Sequence, residues 1–270
     1  MPGEPLQPGD FTVAQRVNAE RLALLGWTRA ILLQLAHPLV AAGVAEHSSF
    51  RGGAHSAVSR LRSTVGAMLA ITFGDDGERE QAIEGIRAIH RRVHGLLRAR
   101  CGPFEAGTAY SAEDPELLLW VHATLVDSIL RVHDLLVEPL SEEERDACCA
   151  DSAGVAVTLG ARAADVPMTW AALQRYMDSM SASGALVVGD DARDLARAVL
   201  SPPFAAVVAP LTALNIVITA GLLPCNIREQ YGLAWNPRRA RLFNVAVRIA
   251  RVTRRVSPAW FALWPEARKG

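Results

Sequence analysis

The sequence has no charge excess: 28 Lys and Arg stand against 28 Asp and Glu in 270 residues. No long run of one sign marks a tail, so the electrostatic footprint of a nucleic-acid or acidic partner is missing and neither is expected. Cysteine is scarce, and Cys101, Cys148, Cys149 and Cys225 form no C-x-x-C spacing, which fits a reducing cytoplasm. C-x-x-C-H is also absent, which excludes a haem held by thioethers. The start, "MPGEPLQPGDF", lacks the basic-then-apolar order of a signal peptide. Period-2 alternation is nearly missing apart from a short "ALVVG" at 185–189, so the fold class expected is all-α.

What is present is apolar spacing at helical period, in a chain that is 50% hydrophobic and large enough for one domain over 1–270. A first helix is expected from Val13 to His37, where Pro38 kinks or stops it. The next covers "HSAVSRLRSTVGAMLAITFG". A third spans "EREQAIEGIRAIHRRVHGLLRA", with acids early and bases late as the helix dipole prefers. Asp114 and Pro115 open a long helix as N-cap and first-turn proline. Ser141 with Glu144 forms a capping box. Further helices are expected over 168–181, 190–200, within 198–227, and over 237–256. The run from Ala198 to Ile227 carries no charge, a length that could cross a bilayer. Its prolines and Asn215 break it into shorter pieces, so a buried helical pair is preferred, with peripheral membrane contact second and a true span third.

"IRAIHRRVHG", residues 86–95, sets His90 and His94 four apart, the spacing of the zinc-protease motif H-E-x-x-H. Arg91 stands where that motif has its glutamate, and cannot act as a base. On a helix of about 100° per residue, His90 falls roughly 40° from the centre of the stripe Ile86, Ile89, Val93, Leu96 and Leu97, and His94 roughly 80°. His90 therefore points inward and His94 sits at the boundary. His122 and His133 share the stripe of Val126 and Ile129, His37 ends the first helix, and His47 follows in a turn. Inward imidazoles cost desolvation unless each finds a carbonyl or binds something. The E-x-x-H pairs of a di-iron bundle are missing, which favours a haem, needing one axial imidazole. Arg60 and Thr64 share a face beside Val58, Leu61, Val65 and Leu69; Arg60 reads equally as a carboxylate partner or a solvated surface residue.

The motifs "QLAHPLVAAGVAEHSSF", "RLRST", "FGD", "IHRRVHG", "YSAEDPELLLWVHATLVDSIL", "DVPMTW" and "LPCNIREQYGLAW", in this order, resemble a family of bacterial proteins grouped with the ER-bound oxygenase of mycophenolic acid biosynthesis and the rubber oxygenase called latex clearing protein. The resemblance covers residues 20–240 or so. It implies a non-covalent haem b in an all-α, globin-like core. The proximal histidine would lie about thirty residues after an arginine and threonine set four apart. Arg60 and Thr64 match that pair, and H-x-x-V-x-G selects His90 as iron ligand, with His94 as fallback. His37, His47 and His122 match recurrent positions. Ser63 replaces a lysine of the rubber-cleaving members, and Glu46 is near, but not aligned with, their glutamate base. Polyisoprene cleavage is therefore not expected.

The resulting expectation is a haem b oxygenase using O2 on a hydrophobic substrate, isoprenoids being one candidate class. Arg60, Thr64 and His47 would stabilise oxygen or a propionate, and His37 and His122 would border the cofactor. The rival is a non-catalytic haem carrier or sensor, favoured by the missing lysine and glutamate. A cytoplasmic location is expected, with residues 198–227 lining the substrate entrance or touching a membrane. Cys148 and Cys149 read as packed thiols.

Overall fold

The computed structural model describes residues 11–47, 53–200 and 209–268, and only the backbone of helical residues 53–61 and 209–211. It is all-α with one two-stranded ribbon. The opening helix expected over 13–37 is in fact two, α1 (Val13–Ala19) and α2 (Ala23–Leu35). A capping box between Thr12 and Gln15 starts α1. Its end is forced from far along the chain. Backbone bonds join Arg21 N–H to the Ala262 carbonyl and Trp264 N–H to the Ala19 carbonyl, and buried Glu20 accepts two hydrogen bonds from Arg254 at 2.5 and 2.7 Å. No local signal could reveal that break.

Pro38 does stop α2, and it also begins α3 (Pro38–His47), which turns away by 105°. His47 is thus the last residue of a helix rather than part of a loop. Next come α4 (Gly53–Phe73) and α5 (Asp76–His90), the latter opened by a capping box of Asp75 with Glu78. The helix expected to continue through His94 stops at His90. His94–Leu96 instead forms β1, paired antiparallel with β2 (Ala109–Ser111), Gly95 facing Tyr110. The i, i+4 relation of His90 and His94 therefore does not exist, and Ile89, placed on the apolar stripe by period, is 62% exposed. The "ALVVG" segment forms no strand.

The centre is α6 (Pro115–Leu136), with Asp114 as cap and Pro115 at its first position. Its most extensive partner is α2. Gly26 makes that approach possible, since a Cβ there would lie 2.8 Å from the Ser128 carbonyl oxygen. Leu32, Leu33, Trp120, Ala123 and Leu130 fill the seam. Within it Arg29 pairs with Asp127 at 2.7 Å, both side chains almost wholly buried. Arg131 and Gln174 also donate to Asp127, and Arg29 reaches the Ser128 hydroxyl and the Leu222 carbonyl.

Around this pair lie α7 (Glu142–Leu159), α8 (Trp170–Ala182), α9 (Asp190–Leu200), α10 (Ala209–Leu222), α11 (Cys225–Gln230), α12 (Pro237–Val256) and α13 (Ala259–Ala262). The Ser141–Glu144 capping box is present. Residues 201–208 of the uncharged run lie outside the described residues. Among the described residues no single helix is long and apolar enough to cross a bilayer; α2 and α3 pass together only as the sharply bent pair.

Candidate functional site

Two cavities share α5 and α6 as walls. The first, of about 270 Å³, is bounded by α2, α3, α5, β2 and α6, with Val44, Leu117, Val121, Tyr110, His47 and His90 on its surface. The second, of about 430 Å³, lies between α1, α4, α5, α6 and α7 and carries His122. Val121 and His122 are neighbours on α6 and face different cavities, as a step of about 100° requires.

His90 closes α5 and opens onto the first cavity. Its Nδ1 is buried with no hydrogen-bond partner. Burial lowers its pKa, against a weaker pull upward from Glu113, so the ring is neutral and retains a lone pair. His122 reaches the second cavity without a hydrogen-bond partner among the described residues, and burial lowers its pKa to about 4. His37 is buried at the α2–α3 corner, its Nδ1 also unpartnered. Its ring packs on Phe104 at 5.1 Å, and burial lowers its pKa to about 4 despite Asp114. It lines neither cavity.

His47 behaves differently. Its Nε2 lies 3.2 Å from the His94 carbonyl oxygen and 3.4 Å from the Tyr110 hydroxyl. A carbonyl only accepts, so Nε2 carries the proton and is not free to ligate. Tyr110 in turn donates to Glu46 at 2.7 Å, and Arg98 pairs with the same carboxylate. The Tyr110 hydrogen bond and Arg98 hold Glu46 below the usual carboxylate range, while burial and Glu46 push Tyr110 up to about 12. Glu46, Tyr110 and His47 thus form a fixed rim. Tyr110 belongs to a quoted motif, yet no spacing rule links it to residue 46; only the packing of β2 against α3 does.

The remaining predicted residues are not gathered here. The His94 side chain is exposed on β1, while its backbone carbonyl serves the rim. Thr64 is exposed on α4, and the side chain of Arg60 lies outside the described residues. His133, which shares the inward face of α6, is satisfied by the Glu138 carbonyl at 3.1 Å, the structural role of a core histidine. Among the described residues no group of three or more His, Cys, Asp or Glu could hold a metal ion. That donor set does not suit a bare ion. Of the histidines that reach the first cavity, His90 is the one with a buried, unpartnered ring nitrogen.

A family model described as "ER-bound oxygenase mpaB/B'/Rubber oxygenase, catalytic domain" matches residues 14–252. The chain belongs to this oxygenase family. The match takes in the first cavity, all of the second but Thr12, and the α2–α6 seam. Among similar proteins are Uncharacterized protein Mb2261 of Mycobacterium bovis and Uncharacterized protein Rv2237 of Mycobacterium tuberculosis. Each is 27% identical over 241 residues, covering 87% of this chain and 90% of the relative. No solved structure matches. Membership in the oxygenase family supports general oxygenase chemistry, with O2 and a small molecule as reactants.

Proposed function

We propose that this chain is a haem b-dependent oxygenase acting with O2 on a hydrophobic substrate, and that His90 holds the iron. The observation that carries the reading is the His90 ring: neutral, with Nδ1 unpartnered, and set on an apolar cavity. An axial imidazole must be deprotonated to ligate, and burial keeps His90 so. Leaving its ring nitrogen unpaired costs about 1–3 kcal/mol, which a ligand bond relieves. When bound, the haem would supply the oxygen-activating chemistry. The protein's own part is to hold it and shape its surroundings. Val44, Leu117 and Val121 exclude water and favour an apolar substrate, isoprenoids being one class.

The rim of Glu46, Tyr110 and His47 orients one edge of that space. Arg60 and Thr64 stand four apart on α4, which among the described residues does not wall the His90 cavity, so a propionate role for them rests on the sequence resemblance alone. His122 and His37, matched to recurrent family positions by sequence, stand apart from this pocket: His122 faces the second cavity and His37 lines neither. A single domain with a globin-like core and a cytoplasmic location belong to the same proposal.

The test is the absorption spectrum of the haem-reconstituted protein. A Soret band is expected that survives His94→Ala and His122→Ala and is lost or shifted in His90→Ala. No band in the parent, or a band that survives His90→Ala and disappears in either other variant, overturns the assignment. Oxygen uptake with a reductant and apolar test substrates then separates an oxygenase from a haem carrier, which binds and consumes nothing.

A further inference from the structure

The helix α12 has two apolar faces, and among the described residues only one is used. Phe243, Val247 and Ala250 pack against Val132 and Leu136 of α6. On the same side Arg251 donates to the Leu135 and Asp134 carbonyls, and Arg254 holds Glu20. The opposite face carries Leu242, Val245, Ile249, Val252 and Val256, all large and all exposed, Ile249 at 61% and Val256 at 77%. At about 100° per residue these five fall within roughly 80° of arc. Trp260 and Phe261 follow directly, also exposed. A stripe of this length left in water is unusual for a surface helix and marks a contact surface.

Charge selects the occupant. Arg241, Arg248 and Arg255 recur every seven residues along one flank, and Arg238 precedes the stripe; all four are exposed. None has an ion-pair partner among the described residues, and α12 contains no Asp or Glu. A second copy would set arginines against arginines, which repel. Residues 201–208 carry no charge and could answer the stripe but not the arginines. A duplex nucleic acid could answer the arginines but not the stripe. An acidic phospholipid surface answers both, because such helices sink their apolar face to the acyl boundary while arginines meet headgroups. The aromatic pair at the end suits the same interface.

We propose that the outer face of α12, with Trp260 and Phe261, docks this protein peripherally on anionic phospholipid membranes. The full chain is expected to sediment with vesicles of phosphatidylcholine containing phosphatidylserine, to do so poorly with phosphatidylcholine alone, and to be released by high salt. Each arginine removed in Arg241→Gln, Arg248→Gln and Arg255→Gln should weaken partitioning by roughly fivefold. Ile249→Ser with Val252→Ser should weaken it comparably on the same vesicles. Both sets change exposed side chains, so circular dichroism and thermal melting should stay at parent values. Absence of parent binding to acidic vesicles, or binding equal in parent and variants, overturns the proposal. So does a dimer in solution that Ile249→Ser with Val252→Ser dissolves, or binding to duplex DNA without binding to vesicles.

Discussion

The α2–α6 seam and the histidine-lined end of the molecule treat buried polar groups in opposite ways. In the seam each charged group has partners: the Asp127 carboxylate receives Arg29, Arg131 and Gln174, and Arg29 is further tied to Ser128 and Leu222. At the other end, among the described residues, Nδ1 of both His37 and His90 is buried and unpaired, and His122 reaches a cavity without a partner. The same α6 serves both, since Asp127 and His122 lie little more than a turn apart on it. The contrast separates polar groups that hold the fold from polar groups held available by it. His133, also on α6 and satisfied by a carbonyl, shows that an inward histidine can be paired in this fold.

Breaking the seam should give the largest effect. Removing one member of a buried pair leaves the other uncompensated, typically a loss of about 3–5 kcal/mol. Asp127→Ala strands Arg29, which is 3% exposed, so urea denaturation should show a fall of that order. His122→Leu removes no hydrogen bond and should cost far less, or stabilise the unliganded protein. Similar losses from the two would dissolve the distinction between the regions.

Acid should probe the histidine end before the seam. His37 and His122 stay neutral in the folded state down to about pH 4, whereas their ordinary value is 6.5. Between those values the unfolded chain binds more protons. Stability is therefore whole above about pH 6.5 and falls toward pH 4, with a slope of up to about 1.4 kcal/mol per pH unit for each ring. Asp127 acts later. Burial pushes its pKa up, but Arg29, Arg131 and Gln174 together hold it below its ordinary 3.8, so its contribution is lost only as pH falls below that value. Urea midpoints at about pH 7 and about pH 5 should differ in the parent and differ less in a His37→Phe, His122→Leu double variant. An unchanged pH slope in that variant would reassign the acid sensitivity to other groups.

Much of the framework was legible because its signals are local. The Asp114–Pro115 start, the Ser141–Glu144 box and the bounds 190–200 and 237–256 all depend on residues within a turn of the helix end. The ordered motifs likewise pointed to the family that the match over 14–252 shows. What failed depended on distant chain. Glu20 ends a helix because Arg254 and the Ala262 backbone meet it there. Residues 86–97 mimic one apolar stripe, yet β1 leaves the helix because β2 lies ready to pair with it. Helical period could place His90 inward but could not show that His94 belongs to a strand. The cavities and the Glu46–Tyr110 rim exist only after packing.

The smallest effect should come from the rim. Tyr110 is 4% exposed, and its ring is wedged between Gly43 and Gly95: a Cβ on Gly95 would lie 2.5 Å from the hydroxyl. Tyr110→Phe keeps the ring and deletes the bond to Glu46, which still has Arg98, while His47 still has the His94 carbonyl. The cost should be about 1 kcal/mol, the net worth of one hydrogen bond whose partners find alternatives. His90 is not bonded to this group, so under the proposed haem assignment the Soret band of the reconstituted variant should match the parent. A loss of several kcal/mol, comparable with Asp127→Ala, would move the hairpin out of the lightly tied region and into the structural one.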